Sequence, residues 1–507
     1  MSGPSDQEKY SIDEMMERLK KRSADSHQDD GELVTRADGT MALKVRKRKR
    51  RSHQPHKEHR KKMRRARMIQ VTGAMLLLLM AGFAAGSAII YANSQPFREK
   101  VSAMVAKSTG AEVTLQQFRV TPTRANAGNL TLTWPDDHVI QELSVRGVSA
   151  SIALSSFLGK TLSGDEVAGS DGMLRLDFPT PRVSRATERG AAPLPIQFRH
   201  YSLPKLAVIL GNAEQPAALL RETELSFEPS NANKRPQLLL NRGTLIARPW
   251  PAILMDRAHI EIREGLIDIV GMRLLHPEDS RGQIDLSGTV DPRAADRPSS
   301  LDLRMESFLL TGILGLELGT LISGRIDTVS TPSSNHLTLT PGSAADARLA
   351  LTFAKSIAEP IELRNFNFLA DLARLFEDNW FERPSFEMDA TGVIRRSGSE
   401  VILENLDFEH KGRMALRGSF RADASGRLSG QLKLGISEAM LLATQNSRLI
   451  TMFQKSDDAF RWLDLKIGGS AKSPSDDFSK LYEATPSAPD STPGRGVPTF
   501  DELIDPE

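Results

Sequence analysis

The chain has 507 residues, with 66 Lys and Arg against 64 Asp and Glu, no Cys and only 6% aromatic residues. The missing cysteines exclude disulfides, thiolate metal sites, a cysteine nucleophile and a lipidated cysteine, and so few aromatics suit a carbohydrate-stacking surface poorly. The net charge of +2 hides an asymmetry, because the basic excess is gathered into one stretch.

Residues 1–43 are polar and weakly acidic. Ile12 to Arg22 carries Ile12, Met15, Met16 and Leu19 at helical spacing, which reads as a marginal helix within a disordered tail. Between Lys44 and Arg67 stand 14 Lys and Arg against one acid, Glu58. No aromatics are interleaved with these cations and no folded module presents them, so specific nucleic-acid binding is not expected. A topology signal in contact with anionic lipid headgroups fits better. His53, His56 and His59 are evenly spaced, but cations crowd the imidazoles and Pro55 interrupts the helix that would align them as metal ligands.

Met68 to Asn93 holds no charged residue over 26 positions and centres on Leu76 to Leu79. As a helix, Ile69 to Tyr91 is about 34 Å long, enough to cross a hydrocarbon core of about 30 Å. A cleavable signal peptide, with Ala85 and Ser87 near its cleavage site, is disfavoured because 67 residues precede the run and the run itself is long. The flanking charge places the N-terminus in the cytoplasm and the bulk of the chain outside. The expected division is a disordered basic tail (1–67), a transmembrane helix (68–93), a large external domain (94–471) and a disordered tail (472–507).

Pro96 opens an amphipathic helix with Phe97, Val101, Met104 and Val105 on one face, and Gly110 closes it. The apolar period then falls to 2. Val113-Leu115, Leu130-Leu132-Trp134, Leu174-Leu176-Phe178 and Leu206-Val208-Leu210 begin a series that runs through Leu432-Leu434-Ile436 to Leu463-Leu465-Ile467. Roughly twenty such strands, each apolar on one face, predict a long, mostly antiparallel sheet. A loose motif recurs as GNLTLTW (128–134), GMLRLDF (172–178), GQIDLSG (282–288) and GRMALRG (412–418). Helices are predicted at Phe366 to Trp380 and Ser437 to Phe453, the second capped by Ser437. Residues 308–324 are apolar and Gly-rich without a clear period, and 180–195 read as an exposed loop.

Catalytic signals are absent. Gly159-Lys160-Thr161 lacks the upstream glycine of a phosphate-binding loop, since Leu154 stands there, and HExxH and GxSxG do not occur. Six histidines beyond the apolar run are scattered, and Asp136-Asp137 and Asp476-Asp477 sit in predicted turns. No enzyme activity, cofactor or metal is expected; dispersed paired carboxylates are the residual hydrolase reading.

The anchor, then FREKVSAMVAKSTGAEVTL, QQFRVTPTRANAGNLTLTW and GVSASIAL, resembles the N-terminal region of the AsmA-like family, and 408–436 with 467–478 is similar to that family's C-terminal region. The resemblance covers both ends and reaches the middle only through strand pattern. It implies a bacterial inner-membrane protein with a twisted, half-open periplasmic β-groove, a role in envelope biogenesis, and passage of phospholipid along an apolar floor. Membrane lipids are then the expected partners, with an envelope protein as the alternative. The expected lining is Leu130, Leu132, Trp134, Leu174, Leu176, Phe178, Ile284, Leu286, Leu301, Leu303, Leu349, Leu351, Phe353, Met414, Leu416, Leu432 and Leu434, with Tyr91 and Phe97 at the membrane-proximal entry.

Overall fold

Nothing between Pro55 and Ala92 interrupts a helix, and the chain forms one continuous helix (α1) over those 38 residues. The computed structural model describes residues 16–17, 32–35, 37–44 and 55–486, apart from gaps at 137, 153–160, 179–195, 231–233, 293, 295, 330–334, 342 and 458. The basic stretch from 55 to 67 is helical rather than disordered, because Lys, Arg, Met and Ala are good helix formers and Pro55 occupies the first turn. The predicted helix at Ile12 to Arg22 and the loop at 180–195 fall almost wholly outside the described residues. Within α1, Thr72–Ala92 is long and apolar enough to cross a membrane.

The chain divides inside α1 into two units, Met1–Ala84 and Ala85–Glu507. The first contains a short antiparallel hairpin, Glu32–Thr35 with Met41–Lys44, and most of α1. Its apolar side chains are bare: Leu78 is 73% and Phe83 79% exposed.

The second unit opens with the last turns of α1 and a helix, α2 (Gln95–Thr109), ended by Gly110 in the left-handed conformation that glycine adopts without strain. Phe97 and Val101 are buried against Val120 and Ala125 of the first strands. The sheet then follows chain order, from Glu112–Gln116 beside Arg124–Thr133 to Phe460–Ser470 beside Ser473–Asp476. It forms a line of about nineteen strand positions. Pairing is antiparallel except where Leu162–Ala168 and Asp171–Leu176 lie parallel to Ile196–Leu210. Small rings of pairing arise where two collinear pieces share one position, as those two do. Among the described residues no register joins the first strand to the last, so these rings do not close the sheet.

Alternation makes the apolar residues meet across strands. Leu132 lies opposite Val113 and Leu143, Leu143 opposite Leu174, Leu174 opposite Val208, and Val208 opposite Leu220. Further along, Leu286 lies opposite Leu303, and Leu416 opposite Phe408 and Leu434. The recurring glycine motif has a mechanical cause. Gly288 and Gly418, the last residues of GQIDLSG and GRMALRG, have φ of 141° and 132°, and a Cβ on Gly418 would stand 2.4 Å from the Gln431 carbonyl oxygen. Both pair with strands whose register shifts, at Ile269/Met272 and Leu403/Leu406 respectively. Such bulges add twist where the apolar face must curl.

From residue 301 onward a second layer lies on that face. Residues 308–324 resolve into a strand end, two four-residue helices (Thr311–Leu314 and Leu316–Gly319) and the strand Ile322–Ser323. That strand joins Ile361–Leu363 and Ser385–Phe386 in a separate three-stranded sheet. The predicted helix at Phe366 to Trp380 is Asn367–Phe376 followed by a 3-10 turn, Asn379–Glu382. The predicted helix Ser437 to Phe453 is instead two, Glu438–Ala443 and Ser447–Met452, and the cap belongs to Asn446, whose side chain accepts from the Leu449 N–H at 3.1 Å. The boundary expected at 471 falls inside the fold. Ser473–Asp476 pairs with the preceding strand, and Asp476 accepts from the Phe368 N–H at 2.8 Å and the Phe478 N–H at 3.1 Å, starting two helices at once.

Candidate functional site: an apolar face covered over half its length

One continuous apolar cluster runs from Val145 to Phe478, but its burial changes along the way. Leu143, Val148, Leu174, Val208, Leu220, Leu225, Leu238, Ile253, Ile260 and Met272 are only partly buried, interleaved with buried Val145, Leu206, Leu240, Met255 and Leu274. Beyond residue 300, Leu301, Leu351, Phe353, Met414, Leu416, Leu432 and Leu434 are all at most 1% exposed. The covering layer causes the difference. Phe368, Leu372, Phe381, Leu441, Leu449 and Phe478, from the short helices, are themselves fully buried within that half. Among the described residues, the strands from 124 to 276 carry no comparable layer; α2 packs on one end of them, against Ala125, Ala150 and Leu162, and approaches Ile196–Leu210.

The expected lining therefore separates into two groups. Leu130, Trp134, Leu174, Leu176 and Phe178 are half-buried, and Leu132 is buried on the same stretch of sheet. Ile284 and Leu286 are buried where covering begins. Leu301, Leu303, Leu349, Leu351, Phe353, Met414, Leu416, Leu432 and Leu434 form closed core, their faces filled by protein rather than open to a ligand. Trp134 also ties the end of α2 to the sheet, because its indole N–H donates to the Thr109 carbonyl at 2.9 Å.

The join at the start of the unit is built by a residue that apolar patterning cannot reveal. Asn93 donates from Nδ2 to the Ile89 and Val120 carbonyls and accepts at Oδ1 from the Val120 N–H, each at 2.8 Å. One amide thus closes the last turn of α1 and extends the hydrogen bonding of strand Arg119–Val120. Beside it, Tyr91 and Phe97 meet edge-on at 5.6 Å, and Phe97 stacks on Phe118 at 6.4 Å. Tyr91 is exposed while Phe97 is buried, so an aromatic step leads from the apolar helix to the first strands.

Within the covered half sits Arg396, 4% exposed, on a strand whose buried phase is Ala390, Gly392, Ile394 and Arg396. It lies opposite Leu349 on the apolar face. Nε donates to Gly398 at 3.0 Å, Nη2 to Pro249 at 3.0 Å and Nη1 to Ile313, all backbone carbonyls, and the guanidinium stands 4.5 Å over the Trp250 ring. Burial pushes its pKa down to about 10, so it remains charged at neutral pH. The legible signal is a cation on the apolar phase of an alternating strand.

On the opposite face, Ile209, Leu219 and Ile246 line a depression of about 1200 Å³ edged by Lys205, Arg221, Arg248, Glu214 and Glu222, a mixed-charge surface. Among the described residues no three His, Asp or Glu side chains converge as a metal site. Along the uncovered apolar face, the side chains offer dispersion contacts and desolvation rather than acid–base chemistry. Comparison with protein-family models, with curated proteins and with solved structures finds no match.

Proposed function

We propose that the protein is a membrane-anchored factor of the bacterial envelope that binds or conducts lipid, with its N-terminus cytoplasmic and its β unit in the periplasm. The observation that supports this most is the uncovered half of the apolar face, which starts at the end of a membrane-length apolar helix and leaves a row of Leu and Val side chains half-buried. About nine strand positions at 4.8 Å give this half a length of about 40 Å. Acyl chains need no hydrogen-bond partners, and each Å² of apolar surface removed from water contributes about 25 cal/mol. Lipid would enter beside Tyr91 and Phe97 and run along Leu132, Leu143, Leu174 and Val208. The resemblance to the AsmA-like family points the same way, with phospholipid as the expected cargo.

The test is mass spectrometry of lipid retained by the full chain purified in a mild uncharged detergent, for the wild type and for Leu174→Asp. Wild-type protein with no lipid above the background of an unrelated single-span protein would remove the reading. A second reading, an assembly factor holding a protein partner, draws on Ile357 and Met388, which are 97% and 61% exposed near the ends of adjacent strands. Glu at both positions should then abolish envelope integrity in cells while retained lipid stays unchanged.

A further inference from the structure

Arg396 is a charged group buried among apolar neighbours, and among the described residues no carboxylate pairs with it. Removing a guanidinium from water costs several kcal/mol unless an anion or enough oriented dipoles replace its hydration. Three carbonyls occupy three of its five N–H groups, which leaves two donors and a full positive charge. The Trp250 ring lies under the guanidinium and supplies no formal counter-charge. Arg396 borders a cavity of about 350 Å³, lined in part by Pro249, Leu314, Leu316 and Leu318. The two acids on its wall are already engaged. Glu317 pairs with Lys472 at 2.9 Å, and Asp423 accepts from the Ser425 and Arg427 N–H groups. A buried cation on the wall of a cavity that also carries Leu314, Leu318 and the 82% exposed Leu316 describes a receptor for an anion that carries an alkyl part.

We propose that Arg396 binds an anionic phosphate group at this cavity, with Leu314, Leu316 and Leu318 receiving the apolar portion of the same molecule. This rests on the lipid reading above and assigns it a headgroup: cargo moving along the uncovered face would be held by its phosphate where Pro249 meets Arg396 of the covered half. A phosphate entering the cavity takes the unused guanidinium donors and neutralises the buried charge. Free phosphate shares this chemistry but cannot use the leucines.

The experiment titrates the full chain in uncharged detergent with dihexanoyl phosphatidic acid, dihexanoylglycerol and inorganic phosphate, by calorimetry. Phosphatidic acid should bind at least tenfold more tightly than the diglyceride. Arg396→Gln should erase that preference and Arg396→Lys should keep part of it. If Arg396→Gln does not fold by circular dichroism, Leu316→Glu, at an exposed position, carries the test and should weaken phosphatidic acid at least tenfold. Inorganic phosphate binding as tightly as phosphatidic acid, and depending on Arg396, would identify free phosphate as the source. Equal affinity for phosphatidic acid and diglyceride, or an unchanged preference in folded Arg396→Gln or in Leu316→Glu, overturns the site. Retained lipid separates the two claims: its persistence in an Arg396→Gln variant without headgroup preference leaves the groove standing, whereas its absence from wild type with phosphate binding intact removes the groove alone.

Discussion

The contrast between the covered and uncovered halves is most directly tested by making one substitution in both. Leu174 and Leu434 each stand on the apolar phase of a strand, with an apolar residue opposite on either side. Leu434 is 0% exposed beneath the helical layer, so Leu434→Ala leaves a cavity that the neighbours cannot fill, at a cost of about 3–5 kcal/mol. Leu174 is half-buried, so Leu174→Ala gives up about half of a leucine's transfer energy, about 1 kcal/mol. Thermal or urea melts of the full chain in detergent should therefore separate the two by about 2 kcal/mol or more. Asp widens the gap. At 434 a carboxylate would be enclosed without a partner and the domain should not fold. At 174 the carboxylate reaches water, the fold survives, and retained lipid should fall at least several-fold. Equal destabilisation by the two alanine variants would mean that both halves are covered alike, and a folded Leu174→Asp that keeps its full lipid complement would refute the path.

Three further outcomes follow from particular contacts. Asn93→Ala removes three hydrogen bonds and leaves the buried Val120 N–H and C=O without partners, so amide exchange at Val120 and neighbouring residues should accelerate by at least tenfold while the covered half is unaffected. Gly418→Val places a Cβ against the Gln431 carbonyl at a φ that valine does not adopt, and should cost about 3 kcal/mol or more in a melt; Gly271→Val, where nothing lies within reach of the added Cβ, should cost under about 1 kcal/mol. His276 is 9% exposed, its Nδ1 accepts from the Glu278 N–H at 3.2 Å, and burial lowers its pKa below the usual 6.5. Because the folded state resists protonation, its contribution is complete above the unfolded pKa and is lost as pH falls through 6.5 toward the depressed folded value. Stability measured from about pH 7.5 to about pH 5.5 should drop in wild type more than in His276→Gln, and parallel curves would contradict the assignment.

The architecture is legible because a period of 2 survives almost everything. Alternation assigns Leu132, Leu174, Leu286, Leu416 and Leu434 to one face, and the strand register brings each opposite another apolar residue. Alternation cannot say what lies on top of a face. A leucine under Phe453 and one under solvent or lipid have the same sequence signature, so it predicts lining along the whole sheet although the second half is filled. Helix bounds shift where a single local residue decides. Gln445, at φ 51°, breaks the predicted helix after Ser437, and Asn446 starts a new one. The domain ends later than composition suggests, because Ser473 to Asp477 looks like linker whereas Asp476 is bound by two backbone N–H groups.

What alternation does encode is its own exceptions. A strand that must pack on its neighbours has no use for a cation on the apolar phase, because a methionine or leucine there avoids the whole desolvation of the charge. Arg325 shows one solution: fully buried, it is matched by Asp279 and by Glu359 at 2.8 Å, so its charge is neutralised within the fold. Arg396 is similarly buried, but it donates to three carbonyls over the Trp250 ring and meets no carboxylate among the described residues. Two buried arginines on one sheet thus differ in the feature that separates a structural ion pair from a receptor, and the unneutralised one reaches from the covered half to Pro249 and Trp250. If Arg396 were structural in the manner of Arg325, removing its charge would lower stability and leave ligand preference untouched. If it receives an anion, phosphatidic acid should raise the melting temperature of wild type and fail to raise that of Arg396→Gln.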